Sequence, residues 1–204
     1  MLTLLLATWR ALPLYPLNPV EQDTLNQMNV HLTVGVNGPN KIADPGLQFS
    51  AKYELLLAHP IILRTAADYG FQDLSARQFP DGRLHSLILS TDVLYYRGTK
   101  DLTGFVGLGA VLYNGFIRLD DGVKSHTMND MQVSDLSVRP RLGIRATFGL
   151  RFSENISLEL AISDVRPTIV STGRISDNSY REIRDNFKLN EVRFSLGYLF
   201  SLRR

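Results

Sequence analysis

Acid–base or nucleophilic chemistry needs a base and a nucleophile held side by side, and this chain offers few pairs that qualify. Its four histidines are His31, His59, His85 and His126. His85 directly precedes Ser86, and in a strand sequence neighbours point to opposite faces, so the two side chains are kept apart. His31 and Thr33 are two residues apart and share a face, a spacing that suits a structural hydrogen bond. His59 falls in the short turn "AHP" and His126 in a long loop, so no histidine completes a nucleophile, base and carboxylate set. We therefore expect no catalytic residues. Asp120 and Asp121 in "RLDDG" resemble a cation-binding turn, but paired aspartates before glycine are more often a solvated turn, and no metal is expected. The glycines of "GFVGLGA" match neither a dinucleotide fingerprint nor a P-loop, and the helix such loops open is missing, so no cofactor is expected. Small residues that let strands pack closely explain that run better. "NIS" at Asn155 fits a glycosylation acceptor but lies in a tight hairpin.

Composition narrows the remaining classes. The 204 residues suit one domain or one closed barrel, and a net charge of +2 provides no basic field for nucleic acid, which is excluded as a partner. The absence of cysteine rules out disulfides and thiolate chemistry. No stretch reaches the roughly 18 apolar residues of a membrane-spanning helix. Residues 1–28, opening "MLTLLLATWRALPLYPLNP", read as an N-terminal tail or a weak or truncated signal segment, because the apolar run lacks a basic leader and Trp9-Arg10 interrupts any small-residue cleavage site. Residues 29–204 form the domain.

From residue 29 onward the chain alternates with period two, the mark of half-buried strands. "NVHLTVGVN" places Val30, Leu32, Val34 and Val36 against His31, Thr33 and Gly35. "GLQFSAKYELLL" places Leu47, Phe49, Ala51 and Tyr53 against Gln48, Ser50, Lys52 and Glu54. The pattern recurs in "PIILRTAADYG", "HSLILSTDVLYYRG", "TGFVGLGAVLYNG", "RLGIRATFGLRF", "NISLELAIS" and "EVRFSLGYLFSL", giving eight strands. Connections alternate between short ("AHP", "GTKDL", "SEN") and long (38–45, 71–82, around 114–138 and around 167–188). An up-and-down antiparallel barrel, with tight turns on one rim and long loops on the other, produces this alternation.

Volume decides which face is inside. An eight-stranded lumen is only just wide enough to be filled by side chains, and the whole Leu, Ile, Val, Phe and Tyr face would overpack it. The opposite face mixes glycine with Lys52, Glu54, Arg64, Asp68, Asp92, Arg145, Arg151, Glu159, Glu191 and Arg193. These balance as five basic and five acidic groups, which a narrow interior can hold as ion pairs. Across the second hairpin Glu54 is expected opposite Arg64. The apolar face carries no charge at mid-strand, as lipid contact requires, since a charge at the bilayer midplane costs roughly 2 to 4 kcal/mol. Tyr53, Tyr69, Tyr95 and Tyr198 fall near strand ends on that face, where an interfacial girdle belongs.

Together "YRGTKDLTGFVGLGAVLY", "GLRFSENISLELAIS" and the terminal "RFSLGYLF" resemble the small bacterial outer-membrane β-barrels, the OmpA-like and OmpX-like eight-stranded group, over residues 29 to 202. The ending departs from that group, because Ser201-Leu202-Arg203-Arg204 follow Phe200 where the family strand finishes on an aromatic. The resemblance implies short periplasmic turns, long outer loops, a place in the outer membrane of a Gram-negative cell, and lipid, lipopolysaccharide and the barrel-insertion machinery as partners. It also implies a non-enzymatic anchor and loop-display scaffold serving envelope integrity, adhesion or surface binding. Lipid A deacylases share the fold but carry a His-x-Ser motif on a late strand, where this chain reads "AISDVRP". The rival readings are a soluble lipocalin-type barrel with its apolar face inward and a lipid-modifying barrel enzyme. The third and fourth long connections, with Phe116, Tyr180 and Phe187, are either working surfaces for a ligand or extensions of the barrel wall.

Overall fold

The computed structural model describes residues 28–40, 42–58, 60–74, 81–99, 101–119, 127–128, 131–152, 155–176, 179–186 and 189–202. Their regular structure is strand throughout: β1 (Met28–Asn37), β2 (Gly46–Ala58), β3 (Ile61–Asp73), β4 (Gly82–Gly98), β5 (Leu102–Leu119), β6 (Thr127–Met128), β7 (Met131–Phe152), β8 (Ile156–Val165), β9 (Thr168–Ser176), β10 (Ser179–Asn186) and β11 (Leu189–Leu202). The N-terminal segment up to Gln27, expected to be a tail or signal, lies outside the described residues.

Eight of these strands close on themselves. From β1 to β5 each strand pairs antiparallel with the next; β5 pairs β7, β7 pairs β8, β8 pairs β11, and β11 returns to β1 along the register Met28↔Leu202 to Asn37↔Arg193. Closure leaves the barrel no edge whose N–H and C=O groups would need water. This is the all-β, eight-stranded, antiparallel up-and-down barrel expected from the alternation.

Polarity is inverted relative to a soluble protein. His31, Lys52, Arg64, Asp68, Asp92 and Arg145 point inward and are at most 3% exposed, whereas Leu108, Leu142 and Ile144 point outward and are more than 70% exposed. Leu32, Phe49, Leu89, Val93, Phe194 and Leu196 continue the exposed apolar surface around the wall. A lipocalin-type barrel requires the reverse arrangement. An apolar exterior of this extent needs an apolar solvent.

The rims differ as the connection lengths require. On one rim β2 and β3 are joined across 59–60, β4 and β5 across 99–101, and β7 and β8 across 153–155. Gly98 enters its turn at φ +143°, a conformation side chains disfavour, and the Thr99 N–H then donates to the Leu102 carbonyl at 2.9 Å. On the other rim strands persist into the connections. β5 continues to Leu119 and β7 begins at Met131, while the segment expected as a loop around 167–188 contains the β9–β10 hairpin, which pairs with the upper part of β7. The fourth connection is therefore partly barrel wall.

One irregularity shapes that wall. Tyr113 pairs with Arg141 and Gly115 with Val138, so Arg139 and Pro140 together oppose the single residue Asn114. This β-bulge reverses the side-chain alternation of β7: Arg145 and Thr147 face inward below it, Leu136 and Val138 above it. Proline has no N–H for the ladder, which confines it to such sites. On the facing side the β7–β8 ladder ends at Ile144↔Asp164, and pairing resumes at Arg139↔Thr168, beyond Pro167.

Candidate functional site

Glycines on β5 and β7 make room for large inward side chains on their neighbours. Gly109 is in register with Asp92, Gly107 with Leu94 and Gly149 with Phe105, and a Cβ at any of the three would overlap the side chain opposite. The glycine run of the fifth strand thus notches the inner wall. At these three positions the side chain that glycine lacks is the space the inward Asp, Leu or Phe occupies.

In the space so created, eight of the ten interior charges form one continuous chain. Arg193 Nη2 lies 3.6 Å from Glu191, and Arg193 Nη1 donates to Asp68 Oδ2 at 2.6 Å. Arg145 bridges Asp68 (3.0 Å) and Asp92 (2.6 Å), and Arg64 bridges Asp92 (3.1 Å) and Glu159 (2.6 Å). Lys52 closes the series on Glu159 at 2.9 Å. Four cations, Lys52, Arg64, Arg145 and Arg193, face four anions, Asp68, Asp92, Glu159 and Glu191, and the chain links six strands. Removing each ion from water costs several kcal/mol, so an opposite charge beside every one, and on both sides of the six inside the chain, is what allows them to stay charged there.

The remaining two charges lie nearer the short-turn rim. Glu54 accepts from Arg151 at 2.9 Å and from the Tyr96 hydroxyl at 2.7 Å, and lies 3.1 Å from His31 Nε2. The Arg151 guanidinium also stacks over the Tyr96 ring, 5.1 Å from its centroid. Glu54 and Arg64 stand opposite each other in register, yet each makes its ion pairs with other residues. The expected hairpin pair is real as a register and absent as an ion pair. Register fixes which backbones face one another; in a lumen, long side chains reach across to the opposite wall.

Sequence reasoning missed two features here. Tyr96 belongs to the Glu54 cluster, where the only available sign was its inward parity; His31, expected in a structural hydrogen-bonding role, joins it there. The second is an apolar plug beneath the long-loop rim. Ile42 and Ala43, in the connection after β1, fold inward, held by N–H donations to Asn40 Oδ1 at 2.9 and 3.0 Å, and pack with Leu84, Ile88, Tyr113 and Ile169. Inward leucines and isoleucines among polar neighbours do not announce themselves as a cluster until the strands are in register.

The residues considered for chemistry are not brought together. His31 Nε2 is occupied by Glu54 and Arg151, and the Thr33 hydroxyl has no hydrogen-bond partner among the described residues. His85 points outward, with its Nδ1 2.7 Å from the Tyr69 hydroxyl and its ring stacked on Phe116 at 4.6 Å. This aromatic group sits where a membrane interface would lie. Ser163 is buried, and Asn155 is exposed in its turn. His59, His126, Asp120, Asp121 and Phe187, and the side chain of Tyr180, lie outside what is described.

A closed eight-stranded barrel with a charged, filled interior and an apolar exterior defines the chain as an outer-membrane-type β-barrel. It is similar to the crystal structure of the outer-membrane protein OprG from Pseudomonas aeruginosa, with a TM-score of 0.64 and 12% identity over 87% of this chain and 97% of that one. Neisserial surface protein A (TM-score 0.48, 14% identity, 86% and 97% coverage) and the outer-membrane enzyme PagL (0.39, 15%, 85% and 99%) are also similar. No protein-family model matches the sequence, and neither does any curated protein. At 12% identity the likeness to OprG is one of fold.

Proposed function

We propose that the protein is a non-enzymatic outer-membrane anchor whose long-loop rim is its working surface, displayed to the cell exterior for envelope integrity, adhesion or surface binding. The observation that supports this reading is the filling of the lumen. A neutral network of paired charges occupies its middle and an apolar plug its long-loop end, so the barrel is built to hold its shape rather than to pass solute. Lipid and lipopolysaccharide would contact its exterior, and the barrel-insertion machinery would place it.

Two measurements test the reading. In planar bilayers the purified barrel should show no sustained conductance steps; a steady open channel would contradict a filled lumen. On intact cells a trypsin-like protease should cut at the exposed Arg174, Arg181 or Arg184. Cutting only after the outer membrane is opened would reverse the orientation.

A further inference from the structure

At the seam where β7 and β8 part company, the outer wall carries a groove of about 540 Å³ lined by Arg141, Leu142, Gly143, Ile144, Asp164 and Arg166. Its origin is the pair of prolines, since Pro140 and Pro167 leave the ladder unpaired between Ile144↔Asp164 and Arg139↔Thr168. A Cβ at Gly143 would meet Val165, so β7 and β8 still lie against each other at the foot of the groove. At about 3.3 Å per residue and a tilt near 40°, the stretch of β7 from Phe152 to Leu142 rises about 25 Å, the height of an apolar belt. The groove is therefore at headgroup level on the long-loop side.

Its chemistry has two halves. Leu142 and Ile144, at 77% and 71%, are far more exposed than most of the belt. Beside them stand two guanidinium groups. Among the described residues Arg141 donates to the Thr168 hydroxyl at 3.3 Å, and neither Arg141 nor Arg166 has a carboxylate within ion-pair distance there. By contrast, neighbouring Arg139 is paired with Glu182 at 3.6 Å. Against the two cations the groove sets one carboxylate, Asp164, leaving a net positive charge. We propose that the groove seats a phosphorylated lipid, its phosphate held by Arg141 and Arg166 and an acyl chain lying on Leu142 and Ile144. Guanidinium suits phosphate because it donates in a planar fork, and lipid supplies both the anion and the chain at this depth. The proposal rests on the membrane reading above.

Native mass spectrometry of the barrel released from a neutral detergent tests it, with phosphatidic acid and diacylglycerol of the same chains as probes. The wild type should retain one phosphatidic acid and bind diacylglycerol at least tenfold more weakly. Arg141→Gln/Arg166→Gln should lose at least tenfold in phosphatidic acid affinity, and Arg166→Gln alone, which removes no hydrogen bond among the described residues, several-fold. Arg118→Gln, on another part of the rim, should change nothing. Inorganic phosphate should compete only at concentrations far above the lipid's. Equal retention of both lipids, unchanged binding in the variants, effective competition by inorganic phosphate, or dimers in place of lipid adducts would each overturn the assignment. Heat-modifiable migration on gels, recorded for every variant, separates this failure from failure of the barrel reading.

Discussion

Asp92 is the most constrained residue of the interior. It is fully buried, receives Arg64 and Arg145, and fits only because Gly109 lies opposite. Breaking a buried pair leaves its partner's charge unmatched, so Asp92→Asn and Arg145→Met should each cost on the order of 3 to 5 kcal/mol in detergent unfolding. The double variant should lose clearly less than the sum, because the second removal takes away the orphaned charge. Strictly additive losses would mean that the two do not share an interaction. Gly109→Val probes the same point sterically: its side chain would enter the space of Asp92 Oδ1, and we expect a loss as large as that of Asp92→Asn, read from the unfolding midpoint. A valine tolerated there would show that the network does not depend on the notch.

At the scale of elements, the strands were legible because a wall between two solvents must alternate, and it does so from Val30 to Leu202. The bulge was not. "SVRPRLG" carries its proline in plain view, but a proline in a strand pattern indicates an edge or an irregularity without saying which, and the reversal of inward parity at Arg139–Pro140 depends on where β5 meets β7. Nor could the β9–β10 hairpin be separated from a loop, since the choice rests on pairing with β7. Two expectations follow. Amides of residues 141–143 directed toward β8 should exchange with solvent faster than those of 145–150, measured by hydrogen exchange in micelles; equal protection would mean that the seam is closed. Deleting β9 and β10 should destabilise the barrel, because Ile169 leaves the apolar plug, whereas shortening confined to 120–126 should leave the unfolding midpoint unchanged.

For the whole molecule, volume and charge balance decide the inside from the outside, because these are bulk quantities that a single sequence carries. Contact partners within the lumen were not so available: ten interior charges permit many pairings, and only the closed barrel selects Asp68–Arg193 over Glu54–Arg64. The lipid solvent is testable through the same bulk quantities. Leu160→Arg places a charge near mid-belt on the outer face of β8 and should reduce bilayer insertion by about 2 to 4 kcal/mol. Most depends on the apolar face meeting lipid, and membrane fractionation followed by gel migration with and without heating tests this most directly. The protein should sediment with outer membranes, resist extraction by salt and alkali, and migrate faster unheated than boiled, as a closed barrel does. Recovery as a soluble protein without detergent, with its fold intact, would contradict the account.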